Sequence, residues 1–153
     1  IGITEAHLKN SISILSSILA NEMTLYIKLR KFHWNVSGQS FMELHKLFEG
    51  QYTQLEVSID ETAERISKLG GKTIGTMKEF SELTIIKESP NQYPGQKEML
   101  QELVENHETL IVQLRKDVDA SADENKDAGT ADFLTGLMLA HETMAWTLRR
   151  YLE

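Results

Sequence analysis

Apolar residues recur at three- and four-residue steps along most of this chain, which is the spacing of amphipathic helices. The first such pattern predicts a helix from about Thr4 or Glu5 to Asn35. Glu22 and His33 fall on the apolar stripe of that helix, although both side chains are polar. A long first helix with two polar positions on its buried face is therefore expected.

A second helix is predicted from Ser40 to Leu69, after a turn signal at residues 35–38. Ser40 is followed three residues later by Glu43, the spacing of a capping box in which each side chain bonds the other residue's backbone. Gly70-Gly71 follows the last apolar position and predicts the end of the helix.

The remaining pattern predicts two more helices beyond a long connection. The connection spans 72–94 and contains a capping box at 76–79, which predicts a short helix within it. The last two helices are expected at about 95–121 and 130–152. Because a long crossover lets the second and third bundle helices run parallel, the pattern predicts an all-α four-helix bundle. One domain covering 1–153 fits this length.

The composition narrows the classes of function. The formal net charge is −7, which disfavours a surface for nucleic-acid phosphates and favours solubility and an affinity for cations. Cysteine is absent, so disulfides, zinc ribbons and thiol nucleophiles are excluded. We find no apolar run long enough to cross a bilayer and no signal-peptide layout, and we expect a cytoplasmic protein that does not contact membranes.

A polar band follows the apolar stripe of the second helix. Residues four apart on a helix point in nearly the same direction, so His45 pairs with Glu49, and Asp60 pairs with Glu64. For the acidic residues alone, a solvated helix face is the simpler explanation. The full band is His45, Glu49, Glu56, Asp60 and Glu64.

His33 makes a metal site the stronger interpretation of this band. A hairpin across the turn brings His33 and His45 to one end of the bundle, although each could instead be a hydrogen-bonded core or helix-end residue. Imidazoles with carboxylates suit Fe(II), Mn(II) or Zn(II), and carboxylates also suit Fe(III). Along one helix, however, His45 and Asp60 would be about 22 Å apart at about 1.5 Å per residue. One ion therefore needs two chains, with second helices antiparallel across a two-fold axis.

A site inside a single bundle lacks its usual ligands. Bundles that hold two irons within one chain use a Glu-x-x-His pair on each of two helices, and no Glu here is followed three residues later by His. His107 and His141 lie on the apolar stripes of the last two helices, where we expect hydrogen-bonded core residues and not metal ligands.

Several separated motifs resemble the Dps family of mini-ferritins, in the same order and at similar distances across essentially the whole chain. They are 32–38 (FHWNVSG), 41–49 (FMELHKLFE), 59–66 (IDETAERI) and 130–135 (TADFLT). The resemblance implies a ferritin-like fold and a hollow homo-dodecamer with di-iron ferroxidase centres between subunits. These would oxidise Fe(II), preferably with hydrogen peroxide, store ferric mineral, and so protect DNA from oxidative damage. By motif match, the iron ligands would be His33, His45, Asp60 and Glu64, with Glu49 as a further carboxylate and Trp34 beside the centre.

The resemblance also implies acidic pores through which iron enters, near the start of the last helix. Asp123, Asp127 and Asp132 are the candidates, with Asp132 the closest match. The alternative is that the first two are loop carboxylates and that Asp132 is a first-turn acid favoured by the helix dipole.

Two other classes of function remain open from the sequence. One is a DNA-compacting protein with incidental metal binding, and the other is a helical interaction or adhesion protein without metal chemistry. The first is disfavoured because no run of lysines precedes the first helix, and Lys9 is the only lysine in the first two dozen residues. Direct DNA binding is therefore not expected.

Overall fold

The computed structural model describes residues 1–153 and contains helices and no strands. Helix α1 pairs with α2, α4 pairs with α5, and the short α3 packs against α1. The long crossover between α2 and α4 lets these two helices run in the same direction. The predicted four-helix bundle with a short helix in its crossover is confirmed. The helices are α1 (Glu5–Asn35), α2 (Phe41–Lys68), α3 (Met77–Leu83), α4 (Gln96–Asp119) and α5 (Ala128–Arg149).

Three helix ends follow the sequence signals. The Thr4 hydroxyl accepts a bond from the His7 backbone N–H at 3.3 Å and caps α1. In the predicted capping box, the Glu79 carboxylate accepts from the Thr76 N–H at 2.7 Å, and the Thr76 hydroxyl accepts from the Glu79 N–H at 3.2 Å. Gly70 has a φ of +86° and ends α2, as expected for a glycine just past a helix.

The capping box predicted at Ser40 is wrong. The Ser40 side chain makes no capping bond, and its φ of −99° and ψ of 31° differ from the extended backbone that an N-cap needs. The chain instead enters α2 through a tight turn at Gly38, whose φ is +108° and whose carbonyl accepts from the Phe41 N–H at 3.2 Å. The turn sets the start of α2, so Glu43 has no extended N-cap to pair with.

The connection between the last two helices also differs from the prediction. Helix α4 ends at Asp119 and continues as a π-helical turn over Ala120–Glu124. Helix α5 begins at Ala128, two residues earlier than expected. The Asp127 side chain accepts a bond from the Thr130 N–H at 3.0 Å and therefore supplies the N-cap that fixes this start.

The bundle core consists of two apolar clusters with a polar layer between them. One cluster includes Leu25, Phe48 and Leu103, and the other includes Leu19 and Ile66. The polar layer takes one residue from each of the four long helices. Its members are Glu22, Thr62, His107 and His141, each at most 1% exposed.

Helix α1 is long and apolar enough by composition to cross a membrane, whereas the sequence pattern predicts no such span. In the folded chain, 56% of its most apolar window is buried against the other helices. A core helix of a bundle satisfies the same length and composition criteria, because its buried face must be apolar. The apolar character of α1 is therefore accounted for by packing.

Candidate metal centre

Two imidazoles meet where α1 ends and α2 begins. His33 lies in the last turn of α1 and is 8% exposed, whereas His45 lies in the second turn of α2 and is half-buried. Their rings stack with centroids 3.7 Å apart and planes 17° apart. The expected convergence of the two side chains is confirmed, and their role as iron ligands stays a prediction.

Reciprocal hydrogen bonds fix both rings. His33 Nδ1 lies 2.7 Å from the His45 carbonyl oxygen, and His45 Nδ1 lies 2.9 Å from the His33 carbonyl oxygen. Because a carbonyl only accepts, each Nδ1 carries the proton and donates it. Each Nε2 of the neutral ring then has a free lone pair. This outer hydrogen bond is the one that typically orients a metal-binding imidazole.

Aromatic residues hold the stacked pair from the side. Tyr52 meets the His33 ring edge-on at 5.2 Å between centroids, and Phe41 packs against the His45 ring at 5.1 Å. Trp34 follows His33 directly and is 67% exposed. The two imidazoles therefore pack against the rings of Tyr52 and Phe41 and lie next to the exposed Trp34 in the chain.

The predicted carboxylate ligands lie elsewhere on α2. Asp60, Glu64 and Glu49 are all exposed. Glu64 forms a surface ion pair with Lys68 at 3.2 Å, and Asp60 has no partner in the chain. Because α2 is one continuous helix, His45 and Asp60 are about 22 Å apart along its axis.

Within one chain, no three His, Asp or Glu side chains converge as a metal site. The structure therefore brings together the two predicted nitrogen donors and separates them from the predicted oxygen donors.

The three pore candidates have different environments. Asp123 and Asp132 are exposed, whereas Asp127 is 2% exposed and caps α5. Arg65 lies 3.4 Å from the Asp127 carboxylate. Burial alone would raise the pKa of the Asp127 carboxyl, but bonds from the Thr130 hydroxyl and backbone N–H and the charge of Arg65 outweigh it, and the pKa is lowered. Within the subunit Asp127 serves as a helix cap.

The buried polar layer was not foreseen as a unit. His107 and His141 were expected in the core, and this is confirmed, but their contact with Glu22 and Thr62 was not anticipated. The available signal was Glu22 itself, a carboxylate on an otherwise apolar stripe. Such a residue requires a buried partner, but the sequence alone does not say which helix supplies it.

Comparison with known proteins agrees with this architecture. The family profile of the ferritin-like domain matches residues 12–153. A low temperature-induced protein of Nostoc sp. is 45% identical over 153 residues, covering 100% of this chain and 86% of that protein. DNA protection during starvation protein 2 of Bacillus anthracis is 37% identical over 145 residues, covering 95% of this chain and 98% of that protein.

Solved structures give the same assignment. A Dps protein from Vibrio cholerae, described as a member of a broad superfamily of ferritin-like diiron-carboxylate proteins, superposes with a TM-score of 0.93. It is 31% identical, and the match covers 100% of this chain and 95% of that one. The profile, the relatives and the superposition agree with one another over nearly the full length. The chain therefore belongs to the ferritin-like superfamily and, within it, to the Dps family.

Proposed function

We propose that this protein is a ferroxidase and iron store that oxidises Fe(II) at di-iron centres shared between subunits. Membership of the ferritin-like diiron-carboxylate superfamily implies iron binding and oxidation in general. The proposal adds hydrogen peroxide as the preferred oxidant, a hollow dodecamer that holds ferric mineral, and the cytoplasm as its location. Iron is the substrate and cargo in this scheme.

The observation that carries the proposal is the reciprocal bonding of His33 and His45. Each Nδ1 proton is committed to the other residue's carbonyl at 2.7 and 2.9 Å, so both Nε2 lone pairs remain for a metal. A histidine pair that served only packing would not need both rings locked in the tautomer that a metal ligand requires.

The exposed carboxylates of α2 are suited to complete the centre from a second subunit. Asp60 and Glu64 point the same way on the helix, because they are four residues apart. Two α2 helices packed antiparallel across a two-fold axis would each present their carboxylates to the partner's imidazoles, giving two identical centres per dimer. Glu49 would add a carboxylate beside His45 on the imidazole side.

Two ferrous ions held close together can supply two electrons to one peroxide molecule. Each Fe(II) gives up one electron, the O–O bond breaks, and both oxygens leave at the level of water or hydroxide. Hydrolysis of the two ferric ions then releases protons as the oxyhydroxide forms. Because peroxide is reduced in a two-electron step, hydroxyl radical is not released, and DNA is protected chemically.

Protection by direct DNA binding is not part of the proposal. The net charge is −7, and Lys9, the only lysine near the start of α1, already pairs with Glu5 at 3.2 Å. Phosphate binding depends on unpaired basic residues that release counterions. We therefore assign the protective effect to removal of Fe(II) and peroxide.

Mixed shells test whether the ligands come from two subunits. His33→Gly and Asp60→Ala variants are prepared separately, and each alone should lack rapid ferric absorbance after anaerobic addition of Fe(II) and peroxide. When the two are unfolded and reassembled together in equal amounts, half of the dimers are mixed, and each mixed dimer has one intact centre. About one quarter of the parent activity should then return.

A centre built within one chain gives a different result, because neither variant could complete it. Mixed shells without recovered activity would therefore contradict the intersubunit centre, provided that the reassembled parent regains its own rate. A second control mixes His33→Gly with His45→Gly, which lie on the same side of the proposed centre and should not complement each other.

A further inference from the structure

A second set of ligand-type side chains lies in the middle of the bundle, away from the His33 pair. Glu22 of α1 and Thr62 of α2 are 0% exposed, and so is His107 of α4, while His141 of α5 is 1% exposed. The four residues form the polar layer between the two apolar clusters. Each long helix of the bundle contributes one of them.

The contacts within the layer link its four residues in series, from Thr62 through Glu22 and His141 to His107. The Thr62 hydroxyl donates to Glu22 Oε2 at 3.3 Å, and His141 Nε2 lies 3.5 Å from Glu22 Oε1. On the far side of the His141 ring, its Nδ1 lies 2.9 Å from His107 Nδ1. No lysine or arginine pairs with Glu22; His141 is its only basic neighbour.

Two polar atoms of this layer have no hydrogen-bond partner. Glu22 Oε1 and His107 Nε2 are buried and make no hydrogen bond. At 3.5 Å, His141 Nε2 is too far from Glu22 Oε1 for a normal hydrogen bond. An ionised carboxylate in an apolar core with one weak hydroxyl bond is strongly unfavourable, so Glu22 needs either a proton or a nearby cation.

We propose that Glu22, His141 and the Thr62 hydroxyl bind one divalent transition-metal ion inside each bundle, and that His107 orients His141 from behind. The site does not depend on the proposed intersubunit centre and shares no residue with it. Carboxylate, imidazole and hydroxyl donors suit Zn(II), Fe(II) or Co(II).

The separation of the two main donors fits one ion. Donors about 2.0 to 2.2 Å from a tetrahedral metal are about 3.4 Å apart, and Glu22 Oε1 and His141 Nε2 are 3.5 Å apart. The second Glu22 oxygen, next to Thr62, supplies a further donor. The ion would supply the positive charge that offsets the Glu22 carboxylate, and it would lie next to Glu22 Oε1, the oxygen that has no hydrogen bond.

His107 supplies the outer hydrogen bond. His107 Nδ1 lies 2.9 Å from His141 Nδ1, so one ring can donate this hydrogen bond and the other accept it. When His107 accepts the Nδ1 proton of His141, His141 Nε2 is left as the free nitrogen that faces Glu22. Outer-shell bonds of this kind fix the tautomer of a metal-binding imidazole.

Cobalt binding tests the site in a shell whose intersubunit ligands are removed. The His33→Gly, Asp60→Ala double variant is treated with chelator, incubated with Co(II) and passed through a desalting column. We expect about one cobalt per chain, with the absorption bands of a four-coordinate ion. Adding His141→Leu should abolish this binding, and adding His107→Leu should weaken it about 10- to 100-fold. Adding His7→Leu is the matched control and should leave it unchanged.

Equal cobalt retention with and without His141→Leu would overturn the proposal. If His141→Leu shells fail to assemble, anomalous scattering from a cobalt-soaked crystal of the double variant gives a second answer. A peak between Glu22 and His141 supports the site, and its absence contradicts it.

The Glu22→Gln variant tests whether a metal ion or a proton neutralises the carboxylate of Glu22. It keeps the shape of the side chain and removes the charge. Without metal, the variant should unfold at or above the temperature of the parent, because the uncompensated charge is gone. With zinc, and with both chains carrying the His33→Gly, Asp60→Ala changes so that the intersubunit ligands are absent, only the chain that keeps Glu22 should gain stability. If zinc does not stabilise that chain, a proton neutralises Glu22, and the proposal would fail while the intersubunit centre stood.

Discussion

The helix-hairpin end and the middle of the bundle use the same residue types in opposite ways. At the hairpin end, His33 and His45 each turn an Nε2 lone pair away from their own backbone, and the matching carboxylates lie exposed on distant turns of α2. In the middle, Glu22 and His141 face each other, and neither is more than 1% exposed. The first set lacks its partners within the chain, and the second set is enclosed by the chain.

This difference separates function from stability. The exposed carboxylates of Asp60 and Glu64 contribute little to the folding of a subunit, because water solvates them about as well in the unfolded chain. Buried polar residues affect the stability of the core directly, because any unpaired group there loses its hydration. Substitutions at the hairpin end should therefore mainly change the rate of Fe(II) oxidation, and substitutions in the middle of the bundle should mainly change the free energy of unfolding.

The largest expected effect comes from removing one imidazole and one carboxylate of the proposed intersubunit centre. The His33→Gly, Asp60→Ala double variant should oxidise Fe(II) with peroxide about a hundredfold more slowly or worse, equivalent to about 3 kcal/mol in the barrier. The rise of ferric absorbance in a stopped-flow instrument measures this. Glu61→Gln, an exposed change on the same helix, is the control and should keep the parent rate. A double variant as fast as the parent would place the centre elsewhere.

A smaller effect, on stability alone, is expected from His141→Ala. The change leaves a cavity in the polar layer and removes the hydrogen-bond partner of His107, and should cost about 2 kcal/mol in the free energy of unfolding. Urea unfolding of the metal-free protein measures the cost. The initial rate of Fe(II) oxidation should stay within about twofold of the parent. A rate loss like that of the double variant would mean that the two regions are not independent.

The smallest effects are expected for two aspartates of the predicted pore region, of which Asp127 is buried and Asp132 is exposed. Asp127→Ala removes the α5 cap and should cost about 1 kcal/mol at neutral pH. Because the folded pKa of Asp127 is lowered, its stabilisation is present above the unfolded pKa near 3.9 and is lost as the pH falls through the folded value. Urea unfolding at neutral pH and below pH 3 should show the difference from the parent shrinking.

Asp132→Ala is the control for that measurement. Asp132 is exposed in the first turn of α5, so its loss should cost at most about 0.5 kcal/mol. If the Asp132 variant were the less stable of the two, the structural role assigned to Asp127 would be wrong.

Local signals predicted most of the fold and the convergence of His33 with His45. The capping box at Thr76 and the glycine stop at Gly70 were both correct, because each depends on a few neighbouring residues. Ser40 has the same capping signature as Thr76 but makes no cap, since the turn at Gly38 fixes the backbone of Ser40 outside the extended region. The signature is therefore not sufficient when a tight turn precedes it.

Contacts between helices distant in sequence could not be predicted in the same way. His33 and His45 are 12 residues apart across one turn, and a hairpin alone brings them together. Glu22 meets Thr62 across 40 residues, and the two core histidines meet across 34. Such pairs depend on the rotation and height of each helix in the bundle, which side-chain packing sets.

By itself, the sequence determined the four long helices and the crossover between the second and third of them, because periodicity and caps are local properties. Only the tertiary structure decided that both His33 and His45 carry their protons on Nδ1, that Asp127 is a buried cap, and that Glu22 faces His141 across the core. These facts depend on which backbone carbonyl or side chain lies within about 3 Å of a given atom. That distance is set by how the helices pack and not by the order of the residues along any one of them.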